Sequence, residues 1–139
     1  MIGKKIASGD YGVIYSAQCN RSKDYIIKIQ DDNSLMEGFI QHVFPNVAPI
    51  VYQIWKCKNS GTTFIIMESM DISIEQYIQK KPSKQNLIKI MKKSFEQMEH
   101  LHSVGILHGD AHLGNFMIKN NKVKIIDFGY SILSKPLID

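Results

Sequence analysis

The chain has 139 residues, of which 44% are hydrophobic, and 17 basic against 13 acidic side chains leave a net charge of +4. That length and apolar content suit one folded domain or two small lobes, and exclude a disordered chain. The charge excess is too modest to point to nucleic acid, which is not expected as a partner, and no apolar run nears the roughly 18 residues that a membrane span needs.

In chain order, Met1–Ser8 and Gly12–Gln18 read as strands around a Gly9-Asp10-Tyr11-Gly12 turn, a hairpin pattern. Asp24–Gln30 is an apolar strand with Lys28 inside it, on the face it shares with Ile26. Ser34–Phe44 reads as a short helix stopped by Pro45. Ile50–Lys56 and Thr62–Met67 are strands around the turn residues Lys58-Asn59-Ser60-Gly61. Asp71–Lys80 is a short helix, and Pro82-Ser83 opens a long one that runs to about Val104 and ends at Gly105. Its apolar stripe is Leu87, Ile90, Met91, Phe95, Met98 and Leu101. Phe116–Lys119 and Lys122–Ile126 form a hairpin around Asn120-Asn121.

Five strands and a helix followed by a helix-rich half predict an α+β protein of two lobes with a cleft between them. The expected divisions are 1–67, a connector at 68–71, and 72–139. Cys19 and Cys57 are too few and too far apart for a disulfide framework or a zinc site. Both are expected as buried free thiols, which points to a reducing, intracellular compartment. Lys4 and Lys5 are not followed by a long apolar stretch, so no signal peptide is expected.

The chemistry concentrates in His108-Gly109-Asp110-Ala111-His112-Leu113-Gly114-Asn115 and in Asp127-Phe128-Gly129, joined by that second hairpin. Asp110, Asn115 and Asp127 supply two carboxylates and an amide, oxygen groups that suit Mg²⁺ held on substrate phosphates. A carboxylate five residues before the amide can orient a hydroxyl while the amide binds metal. Gly9 and Gly12 let backbone N–H groups approach a phosphate, or simply make a hairpin turn. Lys28 on an inward face needs an anion, either a phosphate or a carboxylate; on an exposed face it would be solvated. Glu37 either pairs with Lys28 or closes a capping box with Ser34. His108 reads as a hydrogen-bonder that fixes the loop, and His112 faces substrate or phosphate or plays no part. His100 and His102 end the long helix and read as packing residues or as a complement to the charge at its C-terminus.

These motifs resemble the protein-kinase-like superfamily. Ile6-Ala7-Ser8-Gly9-Asp10-Tyr11-Gly12-Val13-Ile14-Tyr15 looks like the glycine-rich loop and Tyr25-Ile26-Ile27-Lys28 like the V-A-I-K strand. Glu37 occupies the place of the helix-C glutamate, and Phe64–Met70 looks like the hinge strand with Met67 as gatekeeper. The resemblance implies a two-lobe fold with an abbreviated helical C-terminal lobe. It implies an ATP site made by Ala7, Gly9, Gly12, Ile14, Lys28, Glu37, Met67 and the backbone of Glu68 and Met70. It also implies Mg²⁺ on Asn115 and Asp127, with Asp110 and Lys28 as the catalytic pair. The implied activity is an ATP- and Mg²⁺-dependent phosphotransferase, a Ser/Thr protein kinase first. A nucleotide-binding regulatory module and a small-molecule kinase are the alternatives.

The departures qualify this. Ala7 replaces the first glycine of the loop, and Gly109 replaces the arginine of H-R-D, the usual charge partner in activation by loop phosphorylation. His112 stands where Ser/Thr kinases usually carry lysine, so His-Gly-Asp-x-His looks more like the aminoglycoside and choline phosphotransferases. His-Gly-Asp also resembles small atypical kinases. Only Tyr130–Asp139 follow Asp127-Phe128-Gly129, without A-P-E, which is similar to a minimal, C-terminally truncated kinase of the kind found in large DNA viruses. Helical faces left uncovered would favour a protein substrate or regulatory partner, or a homodimer.

Overall fold

The computed structural model describes residues 2–9, 12–19, 23–31 and 35–134. The chain divides into two compact units, one made of Met1–Pro45 and Pro49–Ser69, the other of Asn46–Ala48 and Met70–Asp139.

The first unit is an antiparallel five-stranded sheet with one helix. Strands β1 (Ile2–Gly9), β2 (Gly12–Cys19), β3 (Lys23–Gln30), β4 (Val51–Lys56) and β5 (Thr63–Glu68) lie in the order β1-β2-β3-β5-β4. Runs rich in isoleucine and valine, alternating with polar residues, favour this half-buried sheet. Helix α1 (Met36–Val43) follows β3. The core is Val51, Ile65 and Met67, with Ile26 and Ile54 packed on it. Trp55, the only tryptophan of the chain, stacks on Phe64 with ring centroids 5.0 Å apart.

The second unit contains α2 (Ile74–Gln79) and α3 (Lys84–Ser103). Strands β6 (Ile72–Ser73), β8 (Phe116–Lys119) and β9 (Lys122–Ile125) form a sheet in the order β6-β8-β9, and β7 (Ile106–Leu107) pairs with β10 (Ile132–Leu133). Ile74, Leu101, Ile106, Val123, Ile125 and Phe128 are buried. The segment Asn46–Ala48 is sewn to this unit: Ile125 N donates to Val47 O at 2.7 Å, and Gln97 Nε2 donates to Asn46 O and Val123 O.

Several expectations shift. The short helix begins at Ile74, not Asp71, because Ile72 and Ser73 are drawn into pairing with β8. Ser73 and Gln76 then close a capping box that stops the helix from extending backwards. Ser83 caps α3 by accepting from Asn86 N, as Pro82-Ser83 predicts. Phe95 does not belong to the buried stripe: it is 69% exposed, and Ser94 is buried in its place with its hydroxyl on Ile90 O. Cys57 is not a buried strand residue; it is exposed in the turn after β4, where hydrogen bonds from Ser60 pull its thiol pKa down. The Cys19 side chain lies outside the described residues. Among the described residues no helix is long and apolar enough to cross a membrane.

Candidate functional site

In the first unit, register brings the predicted nucleotide residues onto one face. Ala7 lies opposite Ile14, Ile14 opposite Lys28, and Lys28 opposite Ile65. Directly opposed residues share a face of an antiparallel sheet, and residues two apart do too, so Ala7, Ile14, Ile26, Lys28 and Met67 lie on the same side. The two glycines differ. A Cβ on Gly9 would meet nothing within 4 Å, whereas one on Gly12 would lie 2.1 Å from Ile29 O. With φ at +123°, Gly12 is required by its packing on β3 rather than by a ligand. Asp10 and Tyr11 lie outside the described residues.

Lys28 is buried, and its Nζ donates to Glu37 Oε1 at 2.5 Å. The other carboxylate oxygen, Oε2, accepts from Gln30 Nε2. Both oxygens of Glu37 therefore point to β3. Ser34, the alternative capping partner, lies outside the described residues, and Leu35, the residue at the N-cap of α1, makes no side-chain capping bond. Met67 is buried in the core, and Gln41 Nε2 donates to its sulfur at 3.7 Å. Glu68 is tied to Ile50 twice: its N–H donates to Ile50 O at 2.8 Å, and its Oε2 accepts from Ile50 N at 2.9 Å. Its N–H is thus already used within the sheet. Met70 falls in the second unit and is half-buried.

In the second unit, the loop before Asp127 is held by His108. The imidazole is buried, its Nε2 donates to Ile126 O at 2.8 Å, and its Nδ1 accepts from Asp110 N at 3.2 Å. It packs edge-on against the buried Phe128, with centroids 5.0 Å apart. Ile126 N also donates to Asn115 O, so the residue before Asp127 is tied to both ends of the loop. Asn115 Nδ2 donates to Asp110 O at 2.9 Å and to Asp110 Oδ2 at 3.2 Å. This turns the amide oxygen of Asn115 the opposite way. Asp127 has φ +65°, a left-handed backbone held by its surroundings, as strained residues at functional sites are. His112 is exposed; its Nδ1 accepts from Gly114 N and its Nε2 lies 3.7 Å from Asp110 Oδ2.

The donor set fits the predicted Mg²⁺. An amide oxygen and a carboxylate are hard oxygen ligands, too few for a protein-only cage and suited to a cation that shares phosphate oxygens. Among the described residues no group of three or more His, Cys, Asp or Glu side chains gathers as a metal site of its own.

Gly109 has a structural reason for not being arginine. Its φ is +83°, and a Cβ there would lie 2.5 Å from the carbonyl oxygen of Tyr130. Gly109→Arg should therefore lower the stability of the second unit. The left-handed backbone alone costs about 1–2 kcal/mol, a fall in Tm of about 4–16 °C for a unit of this size. Thermal unfolding followed by circular dichroism checks this; an unchanged Tm would mean that the loop re-forms without its contact to Tyr130.

Sequence reasoning missed Gln30, Gln41 and Ser131, whose hydroxyl donates to His108 O at 3.2 Å. Gln30 stands two residues after Lys28 on the same strand face, and Gln41 four residues after Glu37 on the same helix face. Those two periods are the signals that could have found them.

The sheet order, the helix-borne carboxylate on Lys28 and the hydrogen-bonded loop ahead of Asp127 place the chain among kinase-like folds. The family model described as protein kinase domain matches residues 1–136, and the chain belongs to that family. It is similar to the "Probable serine/threonine-protein kinase fnkB" of Dictyostelium discoideum, 33% identical over 129 residues covering 86% of this chain and 24% of that protein. It is also similar to the "Putative serine/threonine-protein kinase L673" of Acanthamoeba polyphaga mimivirus, 29% identical with 90% of this chain and 25% of that protein covered. The "MAPK/MAK/MRK overlapping kinase" of Mus musculus is 26% identical, with 90% and 33% covered. The chain thus spans about a quarter to a third of the length of these curated relatives.

Proposed function

We propose that the chain carries the nucleotide-handling and catalytic residues of a protein kinase acting on Ser/Thr hydroxyls with ATP and Mg²⁺. The observation that carries this reading is the bonding of Asn115 Nδ2 to both the carbonyl and the carboxylate of Asp110. It fixes a base and a metal-facing amide oxygen in one loop. The Asp110 carboxylate, part-exposed, accepts the proton of the acceptor hydroxyl as its oxygen bonds to the γ-phosphorus and the bond to the bridging oxygen breaks. The Lys28 ammonium, aimed by Glu37, takes the α- and β-phosphates. Asn115 and Asp127 would hold Mg²⁺, which when bound neutralises charge on the transferred group. The face shared by Ala7, Ile14 and Ile26 offers an apolar surface to the adenine ring, and Met67 backs it. An intracellular setting goes with this chemistry, and the similarity to serine/threonine-protein kinases of Dictyostelium discoideum and Acanthamoeba polyphaga mimivirus favours a protein acceptor.

The test is transfer of labelled γ-phosphate from ATP with Mg²⁺ to a generic protein acceptor and to the chain itself, comparing wild type with Asp110→Asn. Transfer that requires Asp110 supports the reading. Transfer indifferent to Asp110 overturns the mechanism, and ATP binding without transfer favours the regulatory module. Transfer to hydroxyl metabolites in preference to protein favours the small-molecule kinase, whose His-Gly-Asp-x-His pattern this loop shares.

A homodimer is part of the same proposal. Phe95 on α3 is 69% exposed beside Met98 and His102, an apolar surface that a second copy would cover. Sedimentation should show a dimer, and Phe95→Glu should dissociate it; a wild-type monomer would rule this out.

A further inference from the structure

Gln30 is buried on the inward face of β3, and its amide orientation is forced. A carboxylate only accepts hydrogen bonds, so Gln30 must turn Nε2, not Oε1, towards Glu37 Oε2. Its Oε1 is then left buried with no hydrogen-bond partner among the described residues. An unpartnered buried carbonyl is destabilising, and an apolar side chain of the same length would fill the position without that penalty. The strand alternation calls for such a residue here: Ile26 occupies the same face, and Ile65 lies opposite Lys28. The amide is nonetheless present, and its stem is clamped. Gln30 Cγ lies 3.1 Å from where a Cβ on Gly12 would stand, so the bare backbone of β2 closes over it.

We propose that Gln30 is a positioning residue for Lys28. It anchors one oxygen of Glu37 so that the other stays on the Lys28 ammonium, and the pair forms within this unit without help from a partner or a modification. A carboxylate held at one oxygen only can rotate about its terminal bond. Held at both, it presents a fixed acceptor, and the direction of the Lys28 Nζ is fixed with it. Gln30 itself touches neither phosphate nor acceptor. Its influence on nucleotide binding rests on the phosphate-binding role proposed for Lys28; its influence on Glu37 does not.

Gln30→Met separates positioning from packing, since methionine matches the length and removes both the donor and the orphaned oxygen. Three measurements are made on the whole chain: unfolding followed by Trp55 fluorescence, amide hydrogen exchange of residues 36–43 without nucleotide, and titration with ATP and Mg²⁺. The unfolding midpoint should change little, because removing the orphaned Oε1 offsets the bond that Glu37 Oε2 loses. Exchange across α1 should accelerate by about tenfold, the scale of one lost hydrogen bond to a charged group. ATP affinity in the titration should weaken by about the same factor. Unchanged exchange in 36–43 would overturn the proposal, and so would a lowered midpoint with faster exchange throughout the sheet, which would make Gln30 a packing residue. If the wild type binds no ATP, the function proposed above fails, and the nucleotide-free exchange still decides the role of Gln30.

Discussion

Asp110→Asn is expected to cut γ-phosphate transfer by about 10²–10⁴-fold, the range a positioned general base contributes, while leaving the fold and ATP affinity close to wild type. The isosteric amide keeps what Asp110 does structurally. Its backbone N–H still donates to His108 Nδ1, its carbonyl still accepts from Asn115 Nδ2 at 2.9 Å, and its side-chain oxygen can still take the second bond from that amide. What is lost is the negative charge and the ability to take a proton. The loss should therefore fall on kcat, with KM for ATP little changed, the pattern of an interaction made mainly in the transition state. Asn115→Leu gives the contrast. It removes the amide oxygen proposed to hold Mg²⁺ and both bonds to Asp110, so it should impair binding of the nucleotide with its metal as well as turnover. If Asp110→Asn retained more than about a tenth of wild-type kcat, a loss of only about 1.4 kcal/mol in barrier terms, the carboxylate would not be the base.

Much of this was legible from residue order. The alternating runs gave five strands of the first sheet to within a residue or two, because each has one buried face and a turn at its end. The loop chemistry was legible because Asp110, Asn115 and Asp127 lie close in sequence and are joined by a hairpin whose turn, Asn120-Asn121, takes positive φ at both residues. Pairings made over longer distances were not. The strand pair β7–β10 joins two-residue segments through Ile132 and Leu107, 25 positions apart, and segments this short carry no period. The Glu37 ambiguity was one of geometry: a capping glutamate and a lysine partner fit the same spacing, and only the fold of α1 onto β3 separates them. By sequence Gly109 reads as a lost arginine, and the Tyr130 carbonyl packed against it is the reason no side chain fits there. Phe95 fits the helical stripe by period, yet a stripe wider than the partner surface leaves its edge exposed, which periodicity cannot reveal.

The Lys28–Glu37 pair makes the second large prediction, on stability. Both side chains are buried, at 6% and 4% exposure, with 2.5 Å between Nζ and Oε1. Glu37→Leu strips the carboxylate from a buried ammonium and should destabilise the first unit by about 3–5 kcal/mol, the usual result of breaking one side of a buried pair. Because the pair is shielded from solvent, added salt should not mask the effect. The double change Lys28→Met with Glu37→Leu removes both charges together and should recover much of that loss, stopping about 1–3 kcal/mol short of wild type because the buried Gln30 Nε2 loses its acceptor. Trp55 reports this directly: it is the only tryptophan and lies on β4 of the same unit, so urea titrations followed by its fluorescence read that unit's unfolding. A Glu37→Leu loss below about 1 kcal/mol would show the pair behaving like a surface ion pair. The double variant also separates two reasons for keeping the pair. If it regains stability to that extent yet no longer binds ATP, the charges are retained for phosphate and not for the fold, because an apolar pair of similar size can hold α1 on the sheet but cannot offer an ammonium to an anion.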